Sequence, residues 1–228
     1  MFRAKDLLRI GCVVTIAMPI AAAEVEPQAV VESFHQVLAD TMKNGRSLGP
    51  AGRFAELEPV LSHTFDMPLI TKTVVGTSWD RLTADQQSSL ITAFERFEAA
   101  QFADLFDSSQ GQKFRTLGIK PAAGEGFVVE TVMEGEGRPS LRFDYTVRRD
   151  SEGWKIDDLR FDSWLSVMNR RSDEIKDILR RRGVSALISR LERHTQAVLG
   201  RTDNLDAPHL ADLRHESWPS QSLPLWLP

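Results

Sequence analysis

The chain has 228 residues, 42% of them hydrophobic and 26% charged, a balance that fits an ordinary globular fold and excludes collagenous, disulfide-dense and wholly disordered classes. Lys plus Arg number 28 against 32 Asp plus Glu, a formal net charge of −4. No basic footprint marks nucleic acid or another polyanion as a partner.

Arg3, Lys5 and Arg9 lead into an apolar run, Ile10 to Ile20, that is too short to span a bilayer and is interrupted by Pro19. Ala21, Ala22 and Ala23 then supply the small residues of a cleavage site. Residues 1–23 are therefore expected to be a secretory signal peptide, and the periplasm of a bacterium is the expected compartment. Cys12, the one cysteine, lies inside that segment and lacks the preceding apolar residues of a lipoprotein signal. The remainder is cysteine-free and must be held by its core alone.

Helical spacing runs from Glu26 to Lys43 through Val30, Val31, Phe34, Val37, Leu38 and Met42. Gly45, Gly49, Pro50 and Gly52 predict a break over Asn44 to Gly52, before a second helix with Phe54, Leu57, Leu61 and Phe65 on one stripe. Asp66 is placed to cap a short helix, Met67 to Val75, with Pro68 in its first turn and Gly76 past its end. Thr83 and Gln86 form a capping box for a long helix carrying Leu90, Ile91, Phe94, Phe97, Phe102 and Leu105.

The period then changes to two, which predicts strands. Phe127, Val129, Thr131 and Met133 share one face, as do Leu141, Phe143, Tyr145 and Val147, with Arg142, Asp144, Thr146 and Arg148 opposite. Turn residues at Gly124 to Gly126, Gly135 to Pro139 and Asp150 to Gly153 separate them, and Lys113 to Leu117 with Trp154 to Phe161 complete a meander of about four antiparallel strands. Helical spacing returns with Ile175, Ile178 and Leu179, stops at Gly183 and resumes through Leu187, Ile188, Leu191 and Val198. Helices, antiparallel sheet, helices: the expected class is α+β. Residues 200–228 carry Pro208, Pro219, Pro224 and Pro228 without periodicity, and are expected to be a disordered tail.

Catalytic patterns are sparse. Gly76 to Asp80 resembles the start of a nucleophile elbow but lacks its closing glycine and follows a helix. His35, His63, His194, His209 and His215 show no metal-ligand spacing and read as surface or half-buried structural residues. Neither a metal nor a cofactor is expected. Asp144 and Tyr145 fall on opposite faces of their strand and cannot act together as acid and base. What stands out is apolar bulk, 12 Phe and 5 Trp against one Tyr. An ordinary core and a cavity for an apolar ligand between sheet and helices both fit it, since the two are lined by the same side chains.

Phe65-Asp66-Met67, Val75-Gly76, Trp79, Leu82-Thr83, Asp85-Gln86-Gln87, Ala93-Phe94 and Phe102-Ala103 resemble the signature of the toluene-tolerance (MlaC-like) family of periplasmic phospholipid carriers. Gly153 to Ile156 with Asp158, Asn169 to Ser172, Ile178, and Gly183 to Leu191 are similar to that family's C-terminal half, in the same order. The resemblance covers about Val30 to Leu199, so residues 24–199 are expected to be one lipid-carrier domain. Within the family, Gly49 to Phe54 and Arg170 to Glu174 look most like the hopanoid-associated HpnM branch. Three departures stand out: Phe102 where the family usually has tyrosine, Ser163-Trp164 in place of a glycine-containing turn, and the long tail.

The resemblance implies a shuttle for a phospholipid or hopanoid, loaded or emptied by an inner-membrane ABC transporter with a lipid-binding domain and exchanging with an outer-membrane partner. It implies no catalysis. The periodic faces nominate Val74, Val75, Trp79, Phe94, Phe97, Phe102, Val129, Phe143, Tyr145 and Leu165 as cavity lining. Arg170 and Arg171 are candidates for a headgroup or partner contact, and a solvated charge pair explains them equally. A solid-core periplasmic interaction or chaperone module, and a cone-shaped α+β enzyme, are the alternatives.

Overall fold

The computed structural model describes residues 26–135, 140–161, 165–166 and 172–201. The expected signal peptide and all but the start of the expected tail lie outside the described residues. Helix α1 spans Pro27–Thr64, with Pro27 in the first turn, where a missing N–H costs nothing. It buries Val31, Phe34, Leu38, Leu57 and Leu61 along one side.

The break expected over residues 44–52 is confined to one residue. Gly49 alone leaves the helix, at φ 62° and ψ 176°, and Pro50 starts the next turn. Positive φ disfavours any side chain bearing a Cβ, which accounts for glycine there. Gly45 stays helical for a different reason: a Cβ at that position would lie 1.9 Å from the Asp107 carbonyl oxygen. One glycine permits a bend and the other a close approach.

Arg53, only 1% exposed, binds this region together. Its Nε donates to the Ala103 carbonyl at 2.7 Å and its Nη1 to the Gly45 carbonyl at 2.8 Å. Both acceptors belong to the last turns of helical segments, where the backbone carbonyls carry partial negative charge that suits a guanidinium.

Helix α2, Met67–Val75, opens on Asp66, whose carboxylate accepts from the Leu69 N–H at 2.9 Å, and closes on Gly76 at φ 63°. A 3₁₀ turn, Gly76–Arg81, leads to α3, Ala84–Leu105. The capping box is formed: the Gln86 N–H donates to Thr83 Oγ1, and the Thr83 N–H to Gln86 Oε1. Helix α4, Ser172–Leu199, bends at Gly183 (φ 79°), the position where the spacing stops and resumes.

Strands β1 (Lys113–Pro121), β2 (Phe127–Glu134), β3 (Leu141–Arg149), β4 (Trp154–Phe161) and β5 (Leu165–Ser166) form an antiparallel sheet in sequential order. β1 is longer than expected because a bulge between Thr116 and Gly118 lets it continue to Pro121, and the two-residue β5 is an addition to the four expected strands. The inward face carries Val129 beside Tyr145 and Phe143 beside Phe161. On the outward face, Glu130 accepts from Lys120 at 2.6 Å and Arg142 at 2.5 Å, and Arg142 also holds Asp144 at 3.0 Å.

Helices α1 and α3 pack against one another, α1 lies on the sheet, and α4 covers α3. The junction between α1 and α2 is stitched to β4 by the Asp66 N–H donating to the Ile156 carbonyl at 2.8 Å. The architecture is α+β, with one core between the helices and the inward face of the sheet.

Candidate functional site

The side chains nominated from periodicity converge. Val74 and Val75 from α2, Phe94, Phe97 and Phe102 from α3, and Val129, Phe143 and Tyr145 from the sheet are all buried in one continuous apolar cluster. Trp79, in the 3₁₀ turn, is half-buried and packs on its edge. For Leu165 the backbone is described, paired with Phe161 in β5. Arg170 and Arg171 lie outside the described residues.

Periodicity alone did not nominate the residues that complete this interior. Phe34 on α1 sits at its centre, its ring centroid 5.2 Å from Phe65, 5.4 Å from Phe102 and 6.3 Å from Tyr145. Phe106 stacks on Phe102 at 5.8 Å, and Phe161 meets Phe143 edge-on at 5.3 Å. Offset and edge-to-face pairs of this kind are the favoured arrangements of aromatic rings. Phe34 was visible as part of a helical stripe, but a stripe does not reveal which other element it meets.

A second feature is polar. His35, which the sequence placed at the surface or half-buried, is 5% exposed, and its Nε2 lies 2.9 Å from the Tyr145 hydroxyl. The imidazole also stacks on Phe114 with centroids 4.3 Å apart. Burial pushes the His35 pKa down to about 4 and pushes the Tyr145 phenol well above its usual range. Both groups are therefore neutral near pH 7, and one hydrogen bond satisfies the only polar atom that Tyr145 brings into the core. The signal was available, since His35 adjoins Phe34 and follows Val31 by one helical turn, but either exposure was compatible with that spacing.

Asp144 and Tyr145 point apart, toward Arg142 outside and His35 inside, so they form no acid and base pair. Ser78 accepts from Arg81 within its own turn rather than from a histidine. Among the described residues, no group of His, Cys, Asp or Glu is arranged to hold a metal ion, and no helix is long and apolar enough to cross a membrane.

Concavities open on the surface formed by the described residues. A groove of about 780 Å³ between α3 and α4 is lined largely by polar groups, including Ser88, Thr92, Arg96, Ser189 and Glu192. A smaller pocket of about 190 Å³ lies where α2 meets the β1–β2 and β3–β4 turns, with Asp66, Leu69, Trp154 and Asp157 in its wall.

The described residues thus form a layered α+β scaffold with an aromatic-filled interior. The chain belongs to the MlaC protein family, whose profile matches residues 32–193. Its structure is similar to that of a phospholipid-binding protein from Ralstonia solanacearum solved in complex with a phospholipid, with a TM-score of 0.66 and 20% sequence identity, covering 76% of this chain and 99% of that one. No curated relative matches the chain.

Proposed function

We propose that this protein is a periplasmic lipid carrier, exported with cleavage after Ala23, which encloses the acyl or polycyclic body of a phospholipid or hopanoid in its aromatic interior. The observation that carries the reading is the convergence of α2, α3 and the inward sheet face on one continuous apolar cluster in a member of the MlaC family. The phospholipid bound by the structural neighbour supports it. Burying hydrocarbon yields about 0.8 kcal/mol per methylene, so two chains of about 30 methylenes together would cost on the order of 24 kcal/mol if left in water. A lipid crossing an aqueous compartment therefore needs a sleeve.

In the form described here the rings touch one another, so the interior must part to admit cargo. Phe94, Phe97, Phe102, Val129, Phe143 and Tyr145 would then line it, with Val74, Val75, Trp79 and Leu165 at its margins. The carrier does no chemistry of its own. Energy for net movement would come from an inner-membrane ABC transporter with a lipid-binding domain, and the other exchange would be with an outer-membrane partner, Arg170 and Arg171 lying at a headgroup or partner contact.

The close ring contacts also favour a second reading, a solid-core interaction module. Mass spectrometry of lipid extracted from protein purified without detergent separates them. Stoichiometric lipid is expected; protein that is lipid-free after gentle purification, and that takes up none from vesicles, would leave the solid core as the answer.

A further inference from the structure

The 190 Å³ pocket has a feature that ordinary surface hollows lack. Asp157, on β4, lines it with a side chain only 8% exposed. Arg148 pairs with one carboxylate oxygen, Oδ2, while Oδ1 is buried and receives no hydrogen bond among the described residues. A buried carboxylate oxygen without a donor is costly, and charge-assisted donors are the strongest remedy. Asp66 and Glu125 add negative charge to the same wall, and Trp154 adds an aromatic surface of the kind that accepts a cation.

The wall is not simply acidic: Asp150 adds a further carboxylate, but besides Arg148, which is paired with Asp157, Arg149 and Lys155 line it too. Lys155 spends two of its three N–H donors, one on the His63 carbonyl at 2.7 Å and one on Glu152 at 3.3 Å, leaving one for a ligand. A lone lysine side chain from a protein partner would satisfy Asp157 but face these two cations. A zwitterion carrying an ammonium and a phosphate satisfies both signs at once.

The position suits a headgroup: Asp66, Arg148 and Asp157 in its wall each follow a core residue, Phe65, Val147 and Ile156, so the wall is built on backbone whose alternate side chains enter the apolar interior. Taking the chain as a lipid carrier, we propose that this pocket binds a phosphoethanolamine group, its ammonium donating to Asp157 Oδ1 and its phosphate meeting Lys155 and Arg149. Because Oδ1 is closed over, the ligand must bring its own donor and part the side chains above it. Arg170 and Arg171 would then serve the partner contact.

The test uses the full exported chain and three soluble probes followed by amide and indole NMR shifts: O-phosphoethanolamine, O-phosphocholine and glycerol 3-phosphate. Phosphocholine has no N–H and glycerol 3-phosphate no cation, so each should bind about tenfold more weakly than phosphoethanolamine. Asp157→Asn should abolish that preference; Glu125→Gln, on the exposed β1–β2 turn, should reduce it and serves as the readout if the Asp157 variant does not fold. Lipid taken up from equimolar phosphatidylethanolamine and phosphatidylglycerol vesicles should be enriched in the former by about threefold in the wild type and not in the variants.

Lipid bound in normal amount without enrichment, and equal binding of the three probes, would overturn the pocket and leave the carrier reading intact. Phosphoethanolamine binding with no lipid uptake would support the pocket, with a free zwitterion as its source, while removing the carrier reading. Equal binding of N-acetyl-lysine amide would overturn the zwitterion in favour of a protein partner's lysine.

Discussion

His35 and Tyr145 show how much one buried hydrogen bond can decide. Imidazole titrates near 6.5 when exposed, whereas burial holds His35 near 4. Between these values the unfolded chain binds a proton that the folded chain refuses, so stability is intact above pH 6.5 and is lost as pH falls toward 4. The wild type should lose about 2 kcal/mol more than His35→Gln between pH 7.5 and 5, read from denaturant midpoints, because glutamine keeps a hydrogen bond to Tyr145 without titrating. Equal pH dependence in the two proteins would show that His35 is protonated in the fold. Arg53 is a residue-scale case of another kind: sequence marked Gly49 to Phe54 only as a motif, and nothing in it revealed that the arginine turns inward. Arg53→Met should cost about 1 to 3 kcal/mol for each carbonyl left without a donor, seen as a lowered midpoint with unchanged slope.

At the scale of elements, the caps were the most legible features, because Asp66, Thr83 and Gln86 act on groups three residues away. The broken helix was legible only in part. Gly45, Gly49 and Gly52 look alike in sequence, and the tertiary contact that explains Gly45 comes from Asp107, far along the chain. This gives a prediction opposite in sign to helix propensity, which favours alanine over glycine by up to about 1 kcal/mol. Gly45→Ala should destabilise, and by more than Gly49→Ala, whose penalty is the about 1 to 3 kcal/mol of an alanine held at positive φ with extended ψ, a region essentially reserved for glycine, with open space around it. Thermal melts of the two variants check the order. The extension of β1 and the existence of β5 were not legible, since a bulge and a two-residue pairing leave no periodic trace.

At the scale of the molecule, the layered α+β class followed from the change of period; eight of the ten nominated lining residues lie buried in one cluster, where an ordinary core would place them too, and whether that cluster opens is a property of the ensemble. Variants that change its volume probe this directly. If lipid occupies the interior, Phe97→Ala and Phe143→Ala should each cost less than the roughly 3 to 5 kcal/mol typical of a packed core. Val129→Trp should cut bound lipid while the fold survives, whereas in a solid core such overpacking costs about 1 to 3 kcal/mol. Bound lipid and denaturant midpoint measured on the same three variants decide it, and full-sized losses with no lipid in the wild type would make the cluster simply a core.

The sequential strand order has a consequence for how the protein is made. Each strand pairs with the one before it, so the sheet's closures are short loops that cost little entropy and form early. The bonds that tie the helices to the sheet close far longer loops: the stitch from Asp66 to Ile156 spans about half of the domain, and His35 to Tyr145 more. A chain emerging from its N-terminus can build helices and hairpins as it appears, but the α1–α2 junction cannot take its place until β4 has formed beside it.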